Sequence, residues 1–217
     1  ACHARVALPN TRLGLPEITL GLLPGSLGTQ RLPRLIPVDA AVDMMLSGQP
    51  ISAEQALSRG LIDAVQMGAS GLEVGLAFAR SVLAGTREVK PTRFQPVRTE
   101  GLSADYFEKK LAEVSQKQRA YPAARAIVES VQATVTEGFE AGERVEAHHF
   151  EACRHSRQSR AMRHLFFAER EAGHIPDLAD IKVLRDIRKV GVIGAGTMGG
   201  GISMNFLNAG IPVKILE

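Results

Sequence analysis

An α/β fold divided by a helical middle is what the sequence predicts, and three observations predict it. Residues 1–85 alternate short apolar runs with helical spacing that ends on Gly48, Gly60 and Gly85. Residues 103–172 keep apolar residues three or four apart, as helices with one buried side do. Residues 190–217 read as strand, glycine-rich turn, helix and strand.

Taken in order, Val6, Ala7 and Leu8 form a strand that Pro9 and Asn10 end. Leu15 to Gly25, LPEITLGLLPG, holds too much Pro and Gly for a regular helix and is expected as an irregular loop. Its one acid, Glu17, lies among Leu15, Ile18 and Leu20. A carboxylate in such company is desolvated, which raises its pKa and suits proton transfer near neutral pH. The residues alone equally allow a solvent-facing or salt-bridged glutamate. Ser26 to Arg34 adds a second glycine-containing turn with Arg31 and Arg34, a combination suited to phosphate.

Val38 to Leu46 is a helix with Ala41, Val42, Met45 and Leu46 on one side and Gly48 at its end. Ser52-Ala53-Glu54-Gln55 is a capping box that opens a helix stopped by Gly60. Leu61 to Val65 reads as a strand. Leu72, Leu76, Ala79 and Leu83 keep helical spacing up to Gly85. Residues 86–101 hold Pro91, Pro96 and several charges, and read as a linker.

Ser103 is the expected cap of a helix with Phe107, Leu111 and Val114 inward. Pro122 opens the next, with Ala124, Ile127, Val128, Val131 and Val135 on one face. Gly138 to His155 is a third. A fourth starts at Ser156 or Ser159 and runs to Ala172, with Gly173 and Pro176 ending it and Met162, Leu165 and Phe166 as core. His149 and Cys153 are four apart, but two ligands without a third make a poor metal site, so no metal is expected. Arg154, Arg157, Arg160 and Arg163 recur every third residue. They could meet phosphates; more often such a run is a solvated face paired with acids such as Glu151 and Glu169. Asp177 to Lys189 is a polar approach to the last segment.

In that segment Val190, Val192 and Ile193 form a buried parallel strand. Gly194 permits a sharp turn, Gly196 leaves room for a pyrophosphate at the backbone, and Gly199 lets the helix lie close on the strand. Met198, Ile202, Phe206 and Leu207 give the helix its apolar residues, and Gly210 ends it before Pro212. The N–H groups at Thr197 and Met198 and the helix dipole favour phosphate. A second strand, Val213 to Leu216, ends on Glu217, roughly twenty residues past the turn, where a carboxylate accepts from both ribose hydroxyls. That acid favours NAD over NADP, whose 2′-phosphate it would repel.

The chain has 217 residues, a net charge of +3 and 45% hydrophobic content, ordinary for a soluble globular protein. The charge is too mild and too scattered for nucleic acid, and no apolar run is long enough to span a membrane. Two cysteines, Cys2 and Cys153, make no disulfide framework and suggest a reducing compartment. Both ends read as cut: the chain starts inside a strand pattern and stops after the second strand of a nucleotide fold. A segment of a longer polypeptide is expected.

PEITLGLLPGSLGTQRLPRL followed by SGQPISAEQALSRGLIDAV resembles the C-terminal half of the crotonase (enoyl-CoA hydratase/isomerase) fold, over roughly residues 1–90. The resemblance implies that Glu17, after Pro16, is a catalytic glutamate and that the backbone of Gly25, after Pro24, contacts the catalytic water. One departure is Leu27, where the family often has glycine. The family's other catalytic glutamate and both oxyanion-hole amides would precede Ala1. GAGTMGGGI (residues 194–202) looks like the opening of a 3-hydroxyacyl-CoA dehydrogenase, and HLFFAEREA (residues 164–172) resembles the linker helix of the multifunctional β-oxidation enzymes.

The resemblance thus implies a crotonase part (1–91), a helical connector with linker helix (92–180) and the start of a Rossmann domain (181–217). It implies hydration of a trans-2-enoyl-CoA and oxidation of the product with NAD, with Δ3,Δ2-enoyl-CoA isomerase activity left open. The partners are an acyl-CoA thioester and the remainder of the polypeptide, and the fragment alone is expected to be inactive. A cytoplasmic home is expected, or a peroxisome or mitochondrion if a terminus carries an address. Two alternatives stand beside this: a dehydrogenase with a non-catalytic crotonase-like scaffold, and an assembly module.

Overall fold

Short elements dominate the start of the chain because Pro and Gly interrupt it every few residues. The computed structural model describes residues 2–68, 70–86, 90–117, 120–174 and 186–217. Within the expected linker, residues 87–89 lie outside these, as do Pro176 and the polar approach as far as residue 185. The chain forms two units, Ala1–Arg170 and Glu171–Glu217.

In the first unit β1 (Val6–Ala7) pairs in parallel with β4 (Ala64–Val65), and β2 (Arg12–Leu13) pairs antiparallel with β3 (Ile51–Ser52). The strand expected over Leu61–Val65 is shorter than the apolar run. Leu61 N–H donates to the Ala56 carbonyl at 2.8 Å, so Leu61 closes a helix end before the strand begins. That helix, α3 (Ala53–Arg59), has the predicted capping box: Gln55 N–H donates to Ser52 Oγ at 3.2 Å, and Ser52 N–H to Gln55 Oε1 at 3.0 Å.

The other helices of this unit are α1 (Gly28–Arg31), α2 (Val38–Ser47), α4 (Gly71–Leu83), α5 (Tyr106–Lys117), α6 (Pro122–Thr136), α7 (Phe139–His155) and α8 (Arg157–Ala172). Ser103 does not cap α5; its hydroxyl turns to Asp105 and the helix starts at Tyr106. Ser156 does begin α8, its Oγ accepting from Ser159 N–H at 3.0 Å. The helical segment is no mere spacer. α6 packs against α1, α2, α5 and α7. Ile127, Val128 and Val131 of α6 are fully buried in one cluster with Leu23, Ile36, Val42 and Met45. Each such side chain contributes about 1.5–3 kcal/mol on burial.

α8 departs from expectation. Leu165 is 57% exposed, and Phe166 lies under the Arg170 guanidinium at 3.9 Å instead of in the core. The buried residue of α8 is Ser159. Of the arginine run, Arg154, Arg157 and Arg160 are exposed, with Arg154 paired to Glu151 at 2.8 Å, while Arg163 is half-buried and donates to the Ser159 and Arg154 carbonyls. Cys153 is buried, and His149 pairs with Glu129 at 3.1 Å. Among the described residues no group of three potential metal ligands occurs, and no helix is long and apolar enough to cross a membrane.

The second unit holds β5 (Val190–Ile193), α9 (Thr197–Asn208) and β6 (Val213–Leu216), with β5 and β6 parallel and Val190 opposite Val213. The helix is where the sequence puts it, but its packed side is not the apolar stripe. Met198 and Ile202 are exposed, while Ser203 is buried and Phe206 half-buried. Small residues bring the helix onto the strands, and Ser203 Oγ satisfies itself on the Gly199 carbonyl at 2.7 Å.

Candidate active site and nucleotide cradle

The segment expected as an irregular loop contains a 3-10 helix, Pro16–Leu20. Proline suits its first position because the missing N–H would have no partner there. Gly21, at φ 67°, ends it, and its N–H donates to the Ile18 carbonyl at 3.0 Å. Two helix ends press on this turn. A Cβ on Gly48, just past α2, would stand 2.8 Å from Ile18 Cγ2, and one on Gly21 would stand 2.9 Å from Ser159 Cα. Ser159 Oγ also donates to the Leu20 carbonyl at 2.9 Å. Glu17 is half-buried on this clamped turn, and its Oε2 is buried without a hydrogen-bond partner. Among the described residues no cation pairs with it, which removes the salt-bridged reading. A buried acceptor left open costs about 1–3 kcal/mol, so a polar group at that oxygen would be welcome.

Beyond Leu23 the chain turns at Pro24-Gly25. Gly28 N–H donates to the Gly25 carbonyl at 3.0 Å, closing a four-residue turn. Its two central residues are left-handed, Ser26 at φ 54° and Leu27 at φ 67°. Neither is glycine, and each such residue costs about 1–2 kcal/mol. The left-handed φ at Leu27 is one that glycine adopts without that cost. A Cβ on Gly25 would meet the Phe150 ring of α7 at 3.1 Å, so the backbone there lies against that ring.

The group that holds this turn is one the sequence reading missed. Glu146 of α7 is 4% exposed. Its Oε1 accepts from Leu27 N–H at 2.8 Å, and its Oε2 accepts from Thr29 N–H at 3.1 Å and Thr29 Oγ1 at 2.5 Å. Burial pushes this carboxyl up, against the downward pull of Thr29 and the two N–H groups. The turn expected to suit phosphate is therefore filled by the chain's own carboxylate. Nor are both arginines free for an anion: Arg34 is buried, donating to the Gln30 carbonyl at 2.5 Å and Thr134 Oγ1 at 2.7 Å. Gln30 Nε2 bonds Thr29 Oγ1 at 2.8 Å, and its side chain lies over Gly142, where a Cβ would overlap it. One sequence signal could have found Glu146. It continues the row Phe139, Gly142, Glu146, Phe150, Cys153, an acid on the buried face of a helix.

In the second unit the predicted residues come together. Gly194, at φ 98°, follows β5, and its N–H donates to the Leu216 carbonyl at 2.7 Å. With Ile193 opposite Leu216, the register sets Glu217 at the same strand end as the turn. A Cβ on Gly199 would overlap the Gly194 carbonyl oxygen, so only glycine lets α9 start there. Around Gly196 no atom lies within 4 Å of the Cβ position, and no side chain caps the helix. The N–H groups of Thr197, Met198 and Gly199 thus have no helical acceptor. An open backbone concavity at a helix start, with a carboxylate at the neighbouring strand end, fits a dinucleotide.

Residues 1–86 match the family model of enoyl-CoA hydratase/isomerase, and residues 189–217 match that of the 3-hydroxyacyl-CoA dehydrogenase NAD binding domain. The chain is 41% identical over 226 positions to the fatty acid oxidation complex subunit alpha of Shewanella loihica, covering 100% of this chain and 31% of that protein. It is 38% identical over 220 positions to the peroxisomal bifunctional enzyme of Cavia porcellus, covering 100% and 30%. It is 34% identical over 223 positions to the glyoxysomal fatty acid beta-oxidation multifunctional protein of Cucumis sativus, again 100% and 30%. A carnitinyl-CoA hydratase structure from Mycobacterium avium aligns with TM-score 0.47 at 24% identity, over 77% of this chain and 52% of that one. The chain spans about 30% of the length of the curated relatives it matches. Its fold is a crotonase segment continued by helices, then the opening β-α-β of a Rossmann NAD-binding domain.

Proposed function

We propose that this chain is the central part of a multifunctional fatty acid β-oxidation enzyme, which hydrates a trans-2-enoyl-CoA and oxidises the resulting 3-hydroxyacyl-CoA with NAD. Its parts are a crotonase portion (1–91), a helical portion ending in a linker helix (92–180) and the start of the dehydrogenase domain (181–217). The observation that carries the reading is the unpartnered Glu17 oxygen on a clamped turn, in the same chain as the glycine cradle.

Hydration adds the water oxygen to C3 of the enoyl thioester and a proton to C2. Glu17 holds the water and moves its proton, working with a second carboxylate on another part of the polypeptide. The Gly25 backbone fixes the water's place. The oxidation removes the 3-hydroxyl proton and transfers hydride from C3. NAD, when bound, would supply the hydride acceptor. Gly194, Gly196 and Gly199 would leave the backbone bare for its pyrophosphate, the Thr197 and Met198 N–H groups would bind it, and Glu217 would accept from its ribose hydroxyls. The exposed apolar residues Ile193, Ile215 and Leu216 support the reading that β5 and β6 belong to a larger sheet. With Cys153 and Cys2 unpaired, we place the enzyme in a reducing compartment, the cytoplasm of a bacterium or an organelle.

The test is turnover of crotonyl-CoA by the full-length polypeptide. Glu17→Gln should lower hydration kcat by about 10²–10⁴-fold while NAD-dependent oxidation of 3-hydroxybutyryl-CoA continues. No hydration by the wild-type polypeptide would leave a dehydrogenase on an inert crotonase scaffold, and hydration that survives Glu17→Gln would take Glu17 out of the reaction. The 217-residue chain by itself should not hydrate crotonyl-CoA and should bind NADH weakly.

A further inference from the structure

Glu146 lies outside the residues that match the hydratase family, on a helix that a bare connector would not need to bury. Its carboxylate uses both oxygens on three donors of the turn after Gly25, at 2.5–3.1 Å. Two of those donors belong to Thr29 and one to Leu27, itself left-handed, on either side of Gly28, where α1 begins. On the other side Phe150, one helical turn further along α7, touches the place where a Gly25 side chain would be. Gly25 is thus bracketed by two residues of the same helix face, one polar and one aromatic. A backbone held in a strained conformation persists only where its surroundings over-determine it. Here the surroundings are α7.

We propose that Glu146 is a positioning residue for hydration: it locks the left-handed Ser26–Leu27 turn onto the start of α1 and so sets the Gly25 backbone where the water must be held. The proposal rests on the hydratase reading above. The hydrogen bonds of the Glu146 carboxylate all go to the turn. Its effect on rate passes through the turn, because a reacting group displaced by about 1 Å can lose 10²-fold in rate. It also gives the helical segment a part in the chemistry, since the hydratase-matching residues alone would leave this turn without its anion.

The experiment uses the full-length polypeptide, with crotonyl-CoA hydration and 3-hydroxybutyryl-CoA oxidation measured on the same preparation. Glu146→Gln keeps the shape but offers one acceptor where there were two. Its hydration kcat should fall by about 10–100-fold with KM within about twofold of wild type and oxidation unchanged. Thr29→Val should lower hydration kcat in the same direction, and Thr29→Ser, which keeps the hydroxyl, should restore it. Wild-type hydration kcat in Glu146→Gln overturns the proposal, and so does an equal loss of both activities. If Glu146→Gln does not fold, the Thr29 pair decides: equal damage in Ser and Val variants means packing only. Glu17→Gln runs alongside. Should the wild type not hydrate crotonyl-CoA, the hydratase reading itself fails; should Glu17→Gln be inert while Glu146→Gln is normal, only the role of Glu146 falls.

Discussion

The backbone turns at Gly25 and at Gly194 are both proposed to meet a ligand, yet what holds them differs. At Gly25 the turn carries two left-handed residues that are not glycine, and a carboxylate 119 positions along the chain binds it in place. At Gly194 the only left-handed residue is glycine, and the holding bond comes from the paired strand, Gly194 N–H to Leu216 O. One loop is imposed from outside; the other is made by its own residues. A loop of the first kind should respond to changes far away, and one of the second kind to changes within it.

The largest effect should come from breaking the local device. Gly199→Ala puts a methyl group into the Gly194 carbonyl, and overpacking of that sort costs about 1–3 kcal/mol. NADH titration of the full-length polypeptide should show affinity lowered by about tenfold or more, with hydration untouched. Next is Gly142→Ala, which drives a methyl group into the Gln30 side chain and through it into the Glu146–Thr29 network. Thermal or denaturant unfolding should register a loss of about 2 kcal/mol, while NADH binding stays as it was. Equal loss of NADH binding would erase the distinction between the two loops. Ser52→Ala removes a capping box remote from both and should cost about 1 kcal/mol without changing either activity. Smallest of all, Ser26→Gly relieves an exposed left-handed residue and should raise stability by up to about 1 kcal/mol. A destabilised Ser26→Gly would mean that the turn is not strained there.

The same contrast explains what was legible in the amino-acid order. The cradle could be read because its determinants are neighbours in sequence: a strand, three spaced glycines, a helix start and an acid on the next strand. The capping box at Ser52 and the stop at Gly48 were legible for the same reason. Glu17 and Gly25 are candidates through resemblance and their Pro-Glu and Pro-Gly setting, but the residues that hold their turns are not legible in that way. Glu146, Phe150 and Ser159 reach them only when helices fold back, and no local spacing announces that. Periodicity also misled where small residues do the packing. Leu165 and Phe166 read as core on α8, but Ser159 is what fits beneath Gly21; on α9 Ser203 is buried while the apolar Met198 and Ile202 are exposed. Apolar spacing reports hydrophobic surface, not the surface that close packing selects.

The bond from Ser159 to the Leu20 carbonyl spans 139 positions. During synthesis the ribosome must therefore make the first turn of α8 before the acid-bearing turn can settle. Until then Gly21 faces empty space, and the nascent crotonase portion waits half-built with apolar residues such as Leu23 and Ile127 still seeking partners. A message truncated between α4 and α8 would yield a product that chaperones hold and proteases remove, never a small independent hydratase.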